Sequence, residues 1–329
     1  MDDYSMNTAI YAVIIAFVVN IVLCPILIPG LRRLKFGQQV RGDGPASHGV
    51  KAGTPTMGGI MIVLSFLLAA AIFLRGNHHA LAVILATTGF GVIGFLDDFI
   101  KICKKRSLGL RAWQKLVGQI VVAGGFIMYW RTLPSYTTEV LVPFFPNLSF
   151  DLGFLFPIFA LFIFLSCSNG ANLTDGLDGL AAGVTALIAV FFMFAAWMMD
   201  SPVLPVTGAA VGSLMGFLLF NSHPARVFMG DTGALALGGF IAAIALILQM
   251  PLFLAIVAIV YVAESASVII QVVSYKIRKK RVFPMTPIHH SFEDVKGGGL
   301  GWPETKVVAM FYIVTAIACL VGYLALRGL

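Results

Sequence analysis

The sequence predicts an all-α, polytopic integral membrane protein, and three observations carry that reading. The chain of 329 residues is 59% hydrophobic and only 11% charged, with a mean hydropathy of +0.94, whereas soluble domains carry roughly 25% charged residues. Long apolar runs recur along its whole length. Basic residues fall almost wholly into alternate connecting segments.

The apolar runs lie at 8–28, 58–74, 80–96, 116–130, 152–168, 180–199, 205–220, 234–249, 252–274 and 307–326. These ten segments approach the roughly 20 residues needed to cross the hydrocarbon of a bilayer. Residues 1–7 are acidic and lack a basic n-region, so the first run reads as a retained span instead of a cleaved signal. Glycine and proline inside the runs are tolerated where neighbouring helices satisfy the freed backbone groups. The whole chain, 1–329, reads as a single transmembrane catalytic domain.

Nineteen of the 22 Lys and Arg residues occupy one set of loops. They are Arg32, Arg33, Lys35, Arg41 and Lys51, then Lys101, Lys104, Lys105, Arg106, Arg111 and Lys115, then Arg226, and finally Lys276, Arg278, Lys279, Lys280, Arg281, Lys296 and Lys306. The opposite ends hold only Arg75, Arg131 and Arg327. Basic loops stay in the cytoplasm, so ten spans predict both termini outside. Orientation explains most of the net charge of +7, and the remainder suits anionic lipid or a polyphosphate. Basic and aromatic residues do not interleave as in single-strand binders, which excludes nucleic acid as a partner. Cys24, Cys103, Cys167 and Cys319 lack paired spacing and read as small packing residues.

The chemistry concentrates in aspartates at the basic ends of the spans. Asp97 and Asp98 close the third run, Asp175 and Asp178 lie between the fifth and sixth, and Asp231 precedes the eighth. Asn172, Asp175 and Asp178 recur every three residues, which on a helix makes one stripe. Asp231, between Gly230 and Thr232, is placed to cap the eighth span. Five carboxylates on one membrane face repel unless a cation or protonation relieves them. A hard divalent ion shared with substrate phosphate resolves this, and Mg²⁺ suits it best. His289 and His290, in a Pro-bounded loop beside basic residues, fit phosphate contact or proton transfer. Glu264, deep in a span, reads as paired inside the bundle. His48, His78, His79 and His223 read as ordinary polar positions.

Five collinear segments resemble a known family. They are Gly53-Thr54-Pro55-Thr56-Met57-Gly58-Gly59, Gly94-Phe95-Leu96-Asp97-Asp98, Asn172-Leu173-Thr174-Asp175-Gly176-Leu177-Asp178-Gly179 and Met229-Gly230-Asp231-Thr232-Gly233. The fifth joins Pro287-Ile288-His289-His290 to Gly301-Trp302-Pro303-Glu304-Thr305-Lys306. Over about residues 45–310 the chain resembles the phospho-N-acetylmuramoyl-pentapeptide transferases of the polyprenyl-phosphate sugar-1-phosphate transferase superfamily. The resemblance implies a Mg²⁺-dependent enzyme of the bacterial cytoplasmic membrane, with its active site on the cytoplasmic face. It would transfer the phospho-sugar of UDP-N-acetylmuramoyl-pentapeptide to undecaprenyl phosphate, yielding lipid I and UMP for peptidoglycan. The partners implied are those two substrates and membrane lipid, with a homodimer left open.

The same resemblance implies roles. Asp231 would ligate Mg²⁺, and Asp97 or Asp98 would act as base toward the lipid phosphate. Asn172, Asp175, Asp178 and Asn221 would line the nucleotide site, with Phe228 stacked on uracil. Lys51, Lys101 and Lys115 match basic residues of the site, and His289 and His290 match a catalytic histidine motif. That motif usually has a third histidine, where this chain has Ser291, and the stretch 294–299 looks longer than usual. Two other readings compete. A sibling enzyme would transfer N-acetylglucosamine-1-phosphate to a polyprenyl phosphate. A secondary transporter would show internal repeats and midplane ligands, and neither is apparent here.

Overall fold

All ten apolar runs are helical, the ninth in two pieces, in the computed structural model, which describes residues 5–33, 53–74, 76–104, 106, 108–145, 148–293 and 298–326. The helices are α1 (Met6–Arg33), α2 (Gly59–Ile72), α3 (His78–Cys103), α4 (Ala112–Trp130), α5 (Phe156–Thr174) and α6 (Leu180–Met198). They continue with α7 (Leu204–Asn221), α8 (Gly230–Ile247), the short α9 (Leu254–Val257), α10 (Ile259–Arg278), the single-turn α11 (His289–Glu293) and α12 (Glu304–Leu326). Among the described residues, eight helices are long and apolar enough to cross a membrane. The other two candidate spans fall short for visible reasons. Helix α2 has 14 residues, about 21 Å of rise, and α4 carries Gln114, Lys115 and Gln119.

The all-α expectation holds, with one small addition. Strand β1 (Glu139–Leu141) pairs antiparallel with β2 (Ser149–Asp151), Val140 opposite Phe150, in the connection between α4 and α5. The ninth run is broken at Ala258, so it yields α9 and α10 instead of one helix.

Helices α6, α7 and α8 form the buried centre, while α1, α10 and α12 expose most of their surface. Small residues allow the closest approaches. Gly208, Gly212 and Gly216 form a stripe on α7 that meets α1, and a Cβ at Gly212 would lie 2.1 Å from the carbonyl oxygen of Val13. Small residues four apart bring transmembrane backbones together in this way. Asn20 adds a polar tie, its Nδ2 donating to Ser65 Oγ at 2.9 Å and to the Met61 carbonyl at 3.2 Å. Apolar surface remains outward on α1, α10 and α12, as expected where lipid is the solvent.

Candidate active site

Three sequence segments meet because glycines let their backbones touch. A Cβ on Gly94 of α3 would lie 2.1 Å from the Asp231 carbonyl oxygen, and one on Gly59 would lie 2.0 Å from the Gly233 nitrogen. Gly230 adopts φ +72°, and a Cβ there would crowd Asp98 Oδ2 and Thr56 Oγ1. The segment before α2 lies along the one before α8. Phe228 N–H donates to the Pro55 carbonyl, and Gly58 and Gly59 N–H donate to those of Phe228 and Met229, each at 2.8 Å. The 53–59 segment is therefore the floor on which the Asp231 loop rests.

On this framework Asp97, Asp98 and Asp231 each place an oxygen within 4.8 Å of the other two. Lys101 Nζ lies 2.5 Å from Asp97, 3.4 Å from Asp98 and 3.0 Å from Asp231. Lys115, from α4, reaches Asp231 at 2.7 Å and Asp97 at 3.4 Å. Asp97 also accepts the Leu110 N–H at 2.9 Å. Asp97 and Asp98 are sealed, with side chains 2% and 3% exposed, whereas that of Asp231 is 14% exposed. Of the three, Asp231 opens furthest to an incoming group.

Two sequence expectations are corrected here. Asp231 does not cap α8; it sits inside the first turn, and the cap position is Met229 without a side-chain bond. The free N–H of Thr232 is taken instead by Asp98 from α3, which accepts it at 2.9 Å and the Thr232 hydroxyl at 2.8 Å. This leaves Asp231 free for other partners. Nor do Asn172, Asp175 and Asp178 form a helical stripe, because α5 ends at Thr174 and the chain turns before α6.

The turn sends its carboxylates to different places. Asp175 takes a backbone hydrogen bond from Gly230 and faces Asp231 and Asp98; burial, then those two charges, push its pKa up to about 7. Asp178 accepts from the Ala225 N–H at 3.0 Å and faces His223 Nδ1 at 3.1 Å. Its own N–H donates to Glu304 Oε1 at 2.6 Å. His223 and Glu304 thus join the site although sequence reasoning gave them no role. For Glu304 a signal existed, since it lies in one of the five segments; for His223 only proximity to Asn221 hinted at it.

Asn172 lies half-buried in the last turn of α5. Asn221 is buried and donates to the Val227 carbonyl at 2.9 Å, shaping the loop that delivers half-buried Phe228. His289 is fully buried, with Nδ1 3.1 Å from Glu264 Oε1, and its ring lies against Gly176 and beside His290. Glu264 is therefore paired inside the bundle, as its position suggested. His290 Nδ1 faces Glu293 at 3.4 Å. Ser291 accepts from the Met285 N–H at 3.2 Å and donates back to the Met285 carbonyl, closing a loop. Lys51, His48 and residues 294–297 lie outside the described residues.

The donor set fits a hard divalent cation: three carboxylates converge, and two ammonium groups share them. Mg²⁺ is held by one or two carboxylates together with substrate phosphate, and such a set meets that need.

Comparison with known proteins agrees with this geometry. Residues 80–249 match the model of glycosyl transferase family 4, and residues 51–63 match signature 1 of phospho-N-acetylmuramoyl-pentapeptide-transferase. A protein of that name from Acetivibrio thermocellus is 44% identical over 327 residues, covering 98% of this chain and 97% of the relative. One from Clostridium kluyveri is 46% identical over 323 residues, covering 98% and 100%. Another, from Caldanaerobacter subterraneus subsp. tengcongensis, is 46% identical over 318 residues, covering 96% and 98%. Identity of this extent, with the signature resting on the floor of the aspartate cluster, places the chain in the phospho-N-acetylmuramoyl-pentapeptide-transferase family.

Proposed function

We propose that this chain, acting as one transmembrane catalytic domain, transfers phospho-N-acetylmuramoyl-pentapeptide from its UDP derivative to undecaprenyl phosphate, releasing UMP. The observation that carries the reading is the convergence of Asp97, Asp98 and Asp231 with Lys101 and Lys115 at the ends of α3, α4 and α8. Phosphoryl transfer is mainly positioning plus charge stabilisation, which such a set supplies.

In this reading an oxygen of the lipid phosphate attacks the sugar-bearing phosphorus of the donor. The bond from that phosphorus to the bridging oxygen breaks, and UMP leaves with the electron pair. Asp231, the most open of the three acids, would hold Mg²⁺ with Asp97 and Asp98, and the ion would supply positive charge to the diphosphate. Lys101 and Lys115 balance the remaining negative charge. Asp97 or Asp98 takes any proton still on the lipid phosphate. Asn172, Asp175, Asp178 and Asn221 line the nucleotide side, Phe228 stacks on uracil, and Lys51 adds charge. The basic loops, and with them the site, face the cytoplasm of a bacterial plasma membrane.

The test is turnover by purified protein in lipid with undecaprenyl phosphate and each UDP-sugar. Labelled UDP-N-acetylmuramoyl-pentapeptide should give UMP and a lipid-linked diphosphate. Transfer from UDP-N-acetylglucosamine alone would assign the sibling activity instead. Exchange of labelled UMP into the donor without lipid acceptor would replace direct attack by a phospho-enzyme route.

A further inference from the structure

Glu264 is a buried acid in the interior of α10 that faces His289. Its side chain has no solvent exposure, that of His289 has 1%, and Oε1 lies 3.1 Å from Nδ1. No oxygen of the Glu264 carboxylate and no ring nitrogen of His289 has a partner at hydrogen-bond geometry among the described residues, so the 3.1 Å approach of Oε1 to Nδ1 is the polar contact on which the pair depends. The far edge of the imidazole lies against the 175–178 turn: a Cβ on Gly176 would be 2.1 Å from His289 Nε2. One chain of contact therefore runs from the interior of α10, through one imidazole, to the backbone between Asp175 and Asp178.

Burying such a pair is costly, and well-packed apolar residues of equal volume often serve stability as well or better. What an apolar pair does not provide is a fixed ring edge. A carboxylate facing Nδ1 favours the tautomer with the proton on that nitrogen, sets which nitrogen faces away from it and fixes the plane of the ring. Gly176 fits this arrangement, because any larger residue would drive the ring off the turn.

We propose that Glu264 is a positioning residue: by holding His289 through Nδ1, it presses the imidazole against Gly176 and sets the turn that presents Asp175 and Asp178 to the nucleotide of the donor. The proposal rests on the nucleotide-side reading of that turn given above. Glu264 itself touches neither substrate.

The test uses full-length protein in nanodiscs with Glu264→Leu and Glu264→Gln. Leucine fills the volume and removes the acceptor, while glutamine keeps an oxygen for the Nδ1–H. In Glu264→Leu the KM for the donor should rise about 10-fold or more, by analogy with the loss when the orienting partner of a metal-bound histidine is removed. The KM for undecaprenyl phosphate should stay within about 2-fold, and Glu264→Gln should recover most of the donor affinity. Donor KM unchanged in Glu264→Leu, or both KM values rising together, would overturn the proposal. A second measurement needs neither turnover nor a folded variant. Nitrogen-15 NMR of histidine-labelled parent should show a proton on His289 Nδ1, and a ring protonated only at Nε2 would overturn the proposal. If the parent carries the Nδ1 proton yet does not use this donor, the functional reading fails while the Glu264–His289 device stands.

Discussion

Asp98 of α3 accepts two hydrogen bonds from Thr232 of α8, one from its N–H at 2.9 Å and one from its hydroxyl at 2.8 Å. An acid that looked catalytic in the sequence is also the cap of a neighbouring helix. Its structural and chemical uses should separate by substitution. Asp98→Ala should cost about 1 kcal/mol or more of stability, the usual worth of a cap. Asp98→Asn keeps an accepting oxygen, so its melting temperature should stay near the parent's while transfer collapses. Thermal unfolding and turnover on the same preparations would check this, and equal loss of both in Asp98→Asn would reduce the residue to a cap.

Lys115 and Lys101 both reach the same oxygen of Asp231, Oδ2, at 2.7 and 3.0 Å. Asp231→Asn should leave a folded, membrane-inserted protein with transfer lowered by about 100-fold or more, because metal-assisted stabilisation of phosphoryl charge is worth several kcal/mol. Chelation of divalent ions should silence the parent, and Mg²⁺ should restore it. Activity within a few-fold of the parent, with an unchanged Mg²⁺ response, would move the metal elsewhere.

Asp175 carries a pH signature. Burial beside Asp231 and Asp98 raises its pKa from 3.8 to about 7. A carboxyl raised on folding favours the folded state while protonated, fully so below its unfolded pKa. That contribution is lost as pH climbs through the folded value. In metal-free buffer the parent's melting temperature should therefore fall between about pH 5 and pH 8 more steeply than that of Asp175→Asn. Parallel curves would show that Asp175 does not titrate in that window.

Phe228 is held by its backbone to Pro55 and Gly58, so truncating its ring should spare the loop. Phe228→Ala should weaken UMP binding by about 0.5–1.5 kcal/mol, the worth of an aromatic stack. Calorimetry with UMP, and separately with undecaprenyl phosphate, would check it. Equal loss for both ligands would point to a disturbed fold.

Orientation can be read from a native thiol. Cys103 is exposed at the end of α3, next to Lys104, while Cys24 and Cys167 are buried. A membrane-impermeant maleimide should label Cys103 in inverted vesicles and not in intact cells, with Cys103→Ser as control. Labelling from outside would reverse the assignment drawn from the basic loops.

The sequence by itself determined the membrane class, the ten apolar runs that become helical and the acids at the basic ends of those runs, because each depends on local composition. Apolar length decides whether a segment becomes a span, and an acid at the basic end of a span stands out whatever surrounds it. Tertiary structure decided what each acid touches. The three-residue spacing of Asn172, Asp175 and Asp178 suggested a stripe, but the end of α5 at Thr174 sent Asp175 toward Gly230 and Asp178 toward Glu304. The cap of α8 came from Asp98, more than a hundred residues earlier, because Gly94 lets α3 lie against the first turn of α8. Glu264 and His289, and likewise Asp178 and His223, are partners only after the chain has packed. A hydrogen bond depends on where two helices come to rest, and that is fixed by small residues facing each other across the bundle, which no local window of sequence contains.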